Sequence, residues 1–171
     1  MTNSEFAIQY ILLAEGGFLQ DVDGITYEGL CEKDCLDFPM WDTVKAAMPL
    51  KRGEIIPNLA LSAAVDAYYE KTRLNHIMCD EWVNRNASAY FADWFVNAGG
   101  WATKHLQEIV GVTPDKAFGP DTLAATNAYQ GDLLTDLYNA RVAYYNAIGV
   151  DNPNLQGWLN RANKLYADLT A

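Results

Sequence analysis

The chain has 171 residues, half of them hydrophobic and 12% aromatic. That apolar content is enough for a sizeable core in one domain and argues against a disordered tail, a linker or a low-complexity segment. Twenty-two acidic residues against twelve basic ones give a net charge of −10, which argues against a nucleic-acid partner because phosphate binding needs clustered Lys and Arg.

The chain opens with a helical pattern, Phe6-Ala7-Ile8 through Ala14, with Asn3 or Ser4 as its cap. The pattern is apolar almost all the way round, which predicts a helix buried between others. Glu15 ends it, followed by Gly16 and Gly17, a pair suited to a left-handed helix stop. Residues 18–30 mix Gly, Asp, Thr and aromatics and predict a short β-hairpin or an irregular loop. Residues 31–58 are irregular apart from a short helix over Trp41–Met48, stopped by Pro49. Asn58 caps a helix running to about Arg73. A further helix spans Asn86–Ala98, where Ala87, Phe91, Trp94, Phe95 and Ala98 share one face. Gly99-Gly100 interrupts it before Ala102–Val110. Beyond a turn-rich connector, helices follow at about Asp121–Ala128, Asp132–Ile148 and Asn154–Leu169. The class is mainly α.

No stretch reaches the roughly 18 uninterrupted apolar residues of a membrane span, so no stable membrane insertion is expected. The first residues lack the basic region of a secretory signal, and the expectation is a protein kept in the cytoplasm until another component releases it. Cys31, Cys35 and Cys79 with His76 and His105 lack the spacing of a zinc site, and the thiols are expected to be reduced. Asp21-Val22-Asp23-Gly24 lacks the remaining oxygen ligands of a calcium loop. Neither a metal nor a cofactor is expected.

Glu15 is the most informative residue. Apolar neighbours and the negative end of a helix dipole both favour its protonated form. A carboxylic acid kept protonated near neutral pH is the usual proton donor to a glycosidic oxygen. Such chemistry needs a second polar group. Asp23 or Asp21 qualifies as a second carboxylate, and the Thr26 hydroxyl as a group that holds a water. Tyr27 is the candidate ring for stacking on a saccharide, while Tyr68 and Tyr69 either line an opposite wall or serve helix packing. Asn97 either stops its helix or bonds an N-acetyl group, and Asp93 is the reserve polar group and, with Asp21, a candidate substrate contact. Core packing is the competing role for Trp94, Phe95 and Trp101, as turn chemistry is for the two aspartates.

Glu15-Gly16-Gly17-Phe18, an Asp-rich turn, then Thr26 and Gly29 together resemble glycoside hydrolase family 108, the N-acetylmuramidases of phage endolysins and bacterial cell-wall enzymes. Phe91 through Gly99, with Asp93, Val96 and Asn97, resembles that family's "F-D-x-x-V-N-x-G" helix end. Leu106-Gln107, Gly111-Val112, Asp115, Phe118-Gly119-Pro120 and Thr122-Leu123 resemble its peptidoglycan-binding portion, and Gly157-Trp158-Leu159-Asn160-Arg161 its closing "G-W-x-x-R" helix. The blocks fall in family order over residues 5–166. The turn between Glu15 and Thr26 is shorter than the family's, and Lys116 stands where a glycine is common.

The resemblance implies a lysozyme-like helical fold, with a catalytic portion over residues 1–90 and a helical peptidoglycan-binding portion over 91–171 packed as one unit. It implies a monomer that hydrolyses the β-1,4 bond between N-acetylmuramic acid and N-acetylglucosamine without a cofactor, with Glu15 as the acid. Peptidoglycan strands are the implied partner, and a holin-type membrane lesion is the implied route of release for an endolysin. The alternative is a non-catalytic peptidoglycan-binding or virion structural module that retains the fold. Net charge adds one expectation: long-range attraction to an anionic wall is absent, so contact relies on short-range stacking and hydrogen bonds.

Overall fold

The computed structural model describes residues 1–22 and 24–171. Helix α1 spans Asn3–Glu15. Its cap is Thr2 rather than Asn3 or Ser4: the Thr2 hydroxyl accepts from the Glu5 amide at 3.0 Å, and the Glu5 carboxylate accepts from the Thr2 amide at 2.8 Å. This reciprocal pair satisfies two of the amides that a helix start leaves open. Only the stripe Ser4, Ala7, Ile8 and Ile11 is buried, while Leu13 is 82% exposed. The helix therefore has an open side, a correction to the all-round burial its composition predicts.

Strands β1 (Phe18–Asp21), β2 (Gly24–Tyr27) and β3 (Leu30–Cys31) form a small antiparallel sheet in that order. Phe18 pairs with Tyr27 and Leu19 with Thr26. Alternation buries Ile25 and Tyr27 on one face, as the period of two requires. The sheet is tied to the loop that follows: the Phe18 amide donates to the Glu54 carbonyl at 2.9 Å, and the Gly53 amide returns to the Phe18 carbonyl at 2.7 Å.

Helix α2 (Trp41–Ala46) is short, as expected. Helix α3 (Leu59–Tyr69) begins at Asn58, whose side chain accepts from the amides of Ala60 and Leu61. It continues through a wider π-type turn over Glu70–Leu74. Helix α4 (Arg85–Ala98) is the centre of the molecule. Residues 87–94 are all buried, and α1, α5, α7 and α8 pack against it. A helix buried all round is read by its neighbours as core. Around it stand α5 (Gly100–Val110), α6 (Pro120–Ala128), α7 (Leu133–Ile148) and α8 (Leu155–Thr170). One continuous hydrophobic core runs from Ala7 to Leu169. The boundary expected between residues 90 and 91 falls inside α4.

Asn58 is placed where its side chain alone answers two open amides. Asn58→Ala is expected to lower stability by about 1 kcal/mol, read as a shift of the urea midpoint at unchanged slope.

Candidate functional site

The buried stripe of α1 continues one turn beyond Ile11 to Glu15, the last residue of the helix. At that point the core gives way to charge. The Oε1 of Glu15 accepts from Nη2 of Arg161 on α8 at 2.7 Å, and the two side chains are 20% and 19% exposed. The same guanidinium reaches Asp93 on α4 through Nη2 at 2.6 Å and Nε at 3.1 Å. The second oxygen of Asp93 accepts from Nη2 of Arg141 on α7 at 2.7 Å. Asp93 and Arg141 are fully buried, and the Arg141 guanidinium lies 5.3 Å from the ring centres of Tyr90 and of Tyr145. Glu15, Arg161, Asp93 and Arg141 thus form one row of alternating charge linking four helices.

Burial by itself would raise the Asp93 carboxyl, but Arg141 and then Arg161 outweigh it and hold the group below its ordinary range. Burial pulls the Arg161 guanidinium down, and Asp93 followed by Glu15 push it above its usual value. The apolar surround expected for Glu15 is therefore corrected: a guanidinium occupies one side of it.

The sheet approaches Glu15 through Gly29, whose φ is +80°. A Cβ built there would lie 2.4 Å from the Tyr69 hydroxyl and 2.6 Å from Cγ of Glu15. Only glycine fits both the backbone conformation and the gap. The Tyr69 hydroxyl donates to the Glu28 carbonyl at 2.9 Å, and burial, then the Glu15 charge, raise that phenol. Glu28 is a buried acid with φ +47° and an Oε2 lacking a hydrogen-bond partner among the described residues. Burial, then Asp66, push its carboxyl up.

Arg161 and Asp93 line a groove of about 610 Å³ whose walls include Ala14, Asn97, Tyr145 and Trp158. A smaller recess bounded by Asn97, Tyr144 and Trp158 adjoins it. Aromatic faces, amide groups and a charged fork thus meet in one concave surface, the usual make-up of a small-ligand site.

The residues singled out in the sequence separate into distinct settings. Asp21 ends β1, exposed and paired with Gly24. Asp23 lies outside the described residues. Thr26 is half-buried on β2, opposite Leu19 and Cys31. Tyr27 is not a stacking ring: it is fully buried, and its hydroxyl accepts from the Ile56 amide at 3.0 Å. Asp93 is not a water-positioning group, because both of its oxygens are taken by arginines. Asn97 is an exposed wall residue whose side chain donates to the Asp93 carbonyl at 2.7 Å. Sequence reasoning named Arg161 as part of a motif without giving it a role, and it passed over Arg141 and Glu28. A buried-helix pattern carrying one aspartate, Asp93, was the available signal, since such a charge requires a partner.

No protein-family model matches the chain, and no curated protein matches it. Among solved structures it is similar to SagA of Brucella abortus at 22% identity and a TM-score of 0.69, over 98% of this chain and 93% of that one. The likeness shows the fold: mainly helical, with a small antiparallel sheet after the first helix.

Asp93→Asn leaves Arg141 buried without a counter-charge and is expected to cost about 3–5 kcal/mol. Because the folded-state carboxyl sits below its ordinary value, its contribution is present at neutral pH. It is lost as pH falls from about 4 through the lowered value. Urea midpoints measured across that window should fall for the parent and stay flatter for the variant.

Proposed function

We propose that this chain is a peptidoglycan hydrolase, an N-acetylmuramidase that cleaves the β-1,4 bond between N-acetylmuramic acid and N-acetylglucosamine. The observation that carries it is Glu15. It is a carboxylate at a helix end, clamped through Oε1 by an arginine that also lines a sugar-sized groove. The ordered motifs resembling glycoside hydrolase family 108 support the same assignment, and so does the fold shared with SagA. Arg161 fixes the carboxyl group, and Oε2 carries the proton delivered to the glycosidic oxygen. Asp23 and Thr26, which follow Glu15 in the sequence, are proposed to supply the second carboxylate and to hold the attacking water. Asn97 and Asp21 are assigned to substrate contact. Residues 1–90 are proposed to carry the chemistry and 91–171 the binding of the wall polymer, with release by a holin-type lesion if the protein serves as an endolysin.

One observation favours the second reading, a non-catalytic wall-binding module. Glu15 is bound to Arg161, and the residues that line the groove include Arg161 and Asp93 and not Glu15.

Purified protein incubated with sacculi distinguishes the two. Glu15→Gln should lower the rate at least about 100-fold, the usual scale of general acid catalysis, with the fold unchanged by circular dichroism. Mass spectrometry of the products should show reducing-end muramic acid. Reducing-end glucosamine or anhydro-muramic ends would reassign the reaction, and no products at all would leave the binding module.

A further inference from the structure

At the C-terminal end of α4 lies a second cavity, of about 470 Å³. It is lined by Arg73, His76 and Lys116 against apolar walls from Phe95, Val96 and Phe118. Among the described residues no acidic side chain lines it. Several basic groups elsewhere pair with carboxylates: Lys45 with Glu32, Lys104 with Glu108, Arg141 with Asp93, and Lys164 with Asp168. Among the described residues neither Arg73 nor Lys116 pairs with a carboxylate, and the one side-chain hydrogen bond of Arg73 goes to the Thr72 carbonyl at 3.2 Å. In a chain of net charge −10, a cavity with two unpaired cations and an imidazole is a local reversal of sign.

Lys116 is held there against its backbone preference. Its φ is +71°, a left-handed conformation that a side chain disfavours. That conformation accounts for the glycine common at this position in the proteins this segment resembles. The surrounding loop determines it. The Lys116 amide donates to Oε1 of buried Gln107 at 3.0 Å, and Nε2 of Gln107 donates to Asp115 at 2.8 Å. Gly100 lets the loop approach, since a Cβ there would lie 3.1 Å from the Cβ of Lys116. The ammonium rests 3.3 Å above the centre of the Trp101 ring. A strained residue with an unpaired charge at a cavity mouth is the kind of outlier from which a function is inferred.

Building on the assignment as a peptidoglycan hydrolase, we infer that the cavity of Arg73, His76 and Lys116 is a subsite for a carboxylate of the wall peptide borne by the glycan strand. The glycan's own hydroxyl and N-acetyl groups are neutral and give these cations little to bind. The stem peptide supplies carboxylates on short apolar segments, which match cations set among Phe95, Val96 and Phe118.

Calorimetric titration of the full chain tests this with three probes: muramyl tripeptide, the same compound with its carboxylates amidated, and inorganic phosphate. The tripeptide should bind saturably, and amidation should weaken it by up to about fivefold for each charge pair lost, the scale of an exposed pair. Arg73→Gln and Lys116→Gly should each weaken it by about the same factor. Lys116→Gly relieves the left-handed strain, so its thermal midpoint should hold or rise, which separates lost binding from lost folding. Equal binding of the amidated probe, parental affinity in both variants, or phosphate binding as tightly as the tripeptide would overturn the proposal. The hydrolase assignment stands or falls separately on the Glu15→Gln assay. Charge-dependent tripeptide binding without hydrolysis would retain the subsite and remove only the enzyme.

Discussion

Asp93 placed inside the central helix is the constraint on which the rest depends. A lone carboxylate at the middle of a hydrophobic core is untenable without compensation, and two arginines from the last two helices provide it. Once Asp93 is ionised and buried, α7 must turn Arg141 inward and α8 must bring Arg161 across. Arg161 then has a second donor edge to spend, and Glu15 receives it. The candidate catalytic acid is thus positioned from the opposite end of the chain, by a charge row that starts in the core.

This arrangement divides structure from chemistry along one row of side chains. The inner pair, Asp93 and Arg141, is dry and satisfies a packing requirement. The outer pair, Arg161 and Glu15, is partly solvated, and its arginine lines the groove. The sheet completes the site from the other side with glycine rather than with a side chain, because Gly29 must slip between the Tyr69 hydroxyl and Glu15. Small elements do the fine positioning, while the helical bundle provides rigidity.

Charge has to be read locally as well as in total. A net −10 predicts repulsion from an anionic polymer at long range. The cavity around Arg73 and Lys116 shows that short-range contacts obey a different balance, since salt and water screen separated charges while a lined pocket concentrates them. The two statements concern different distances and both apply.

The helices were legible in the residues because their determinants are local. Asn58 caps α3 by reaching amides two and three residues away, Gly16 stops α1, and the apolar run of α4 announces burial. Glu15 was legible as a candidate because Glu-Gly-Gly at the end of an apolar helix is itself a local signal. What the neighbours of Glu15 are was not legible: Arg161 lies 146 positions away, and no periodicity encodes such a pairing. Tyr27 reads as a loop aromatic free to stack, and only the strand register and the Ile56 amide turn it into the core. Asp93 reads as a polar group available for chemistry, and only the convergence of two distant arginines removes it from reach. Capping, periodicity and turn chemistry act over a few residues and are written in the sequence. Charge pairing and cavity lining join residues brought together by packing, and the tertiary structure alone decides them.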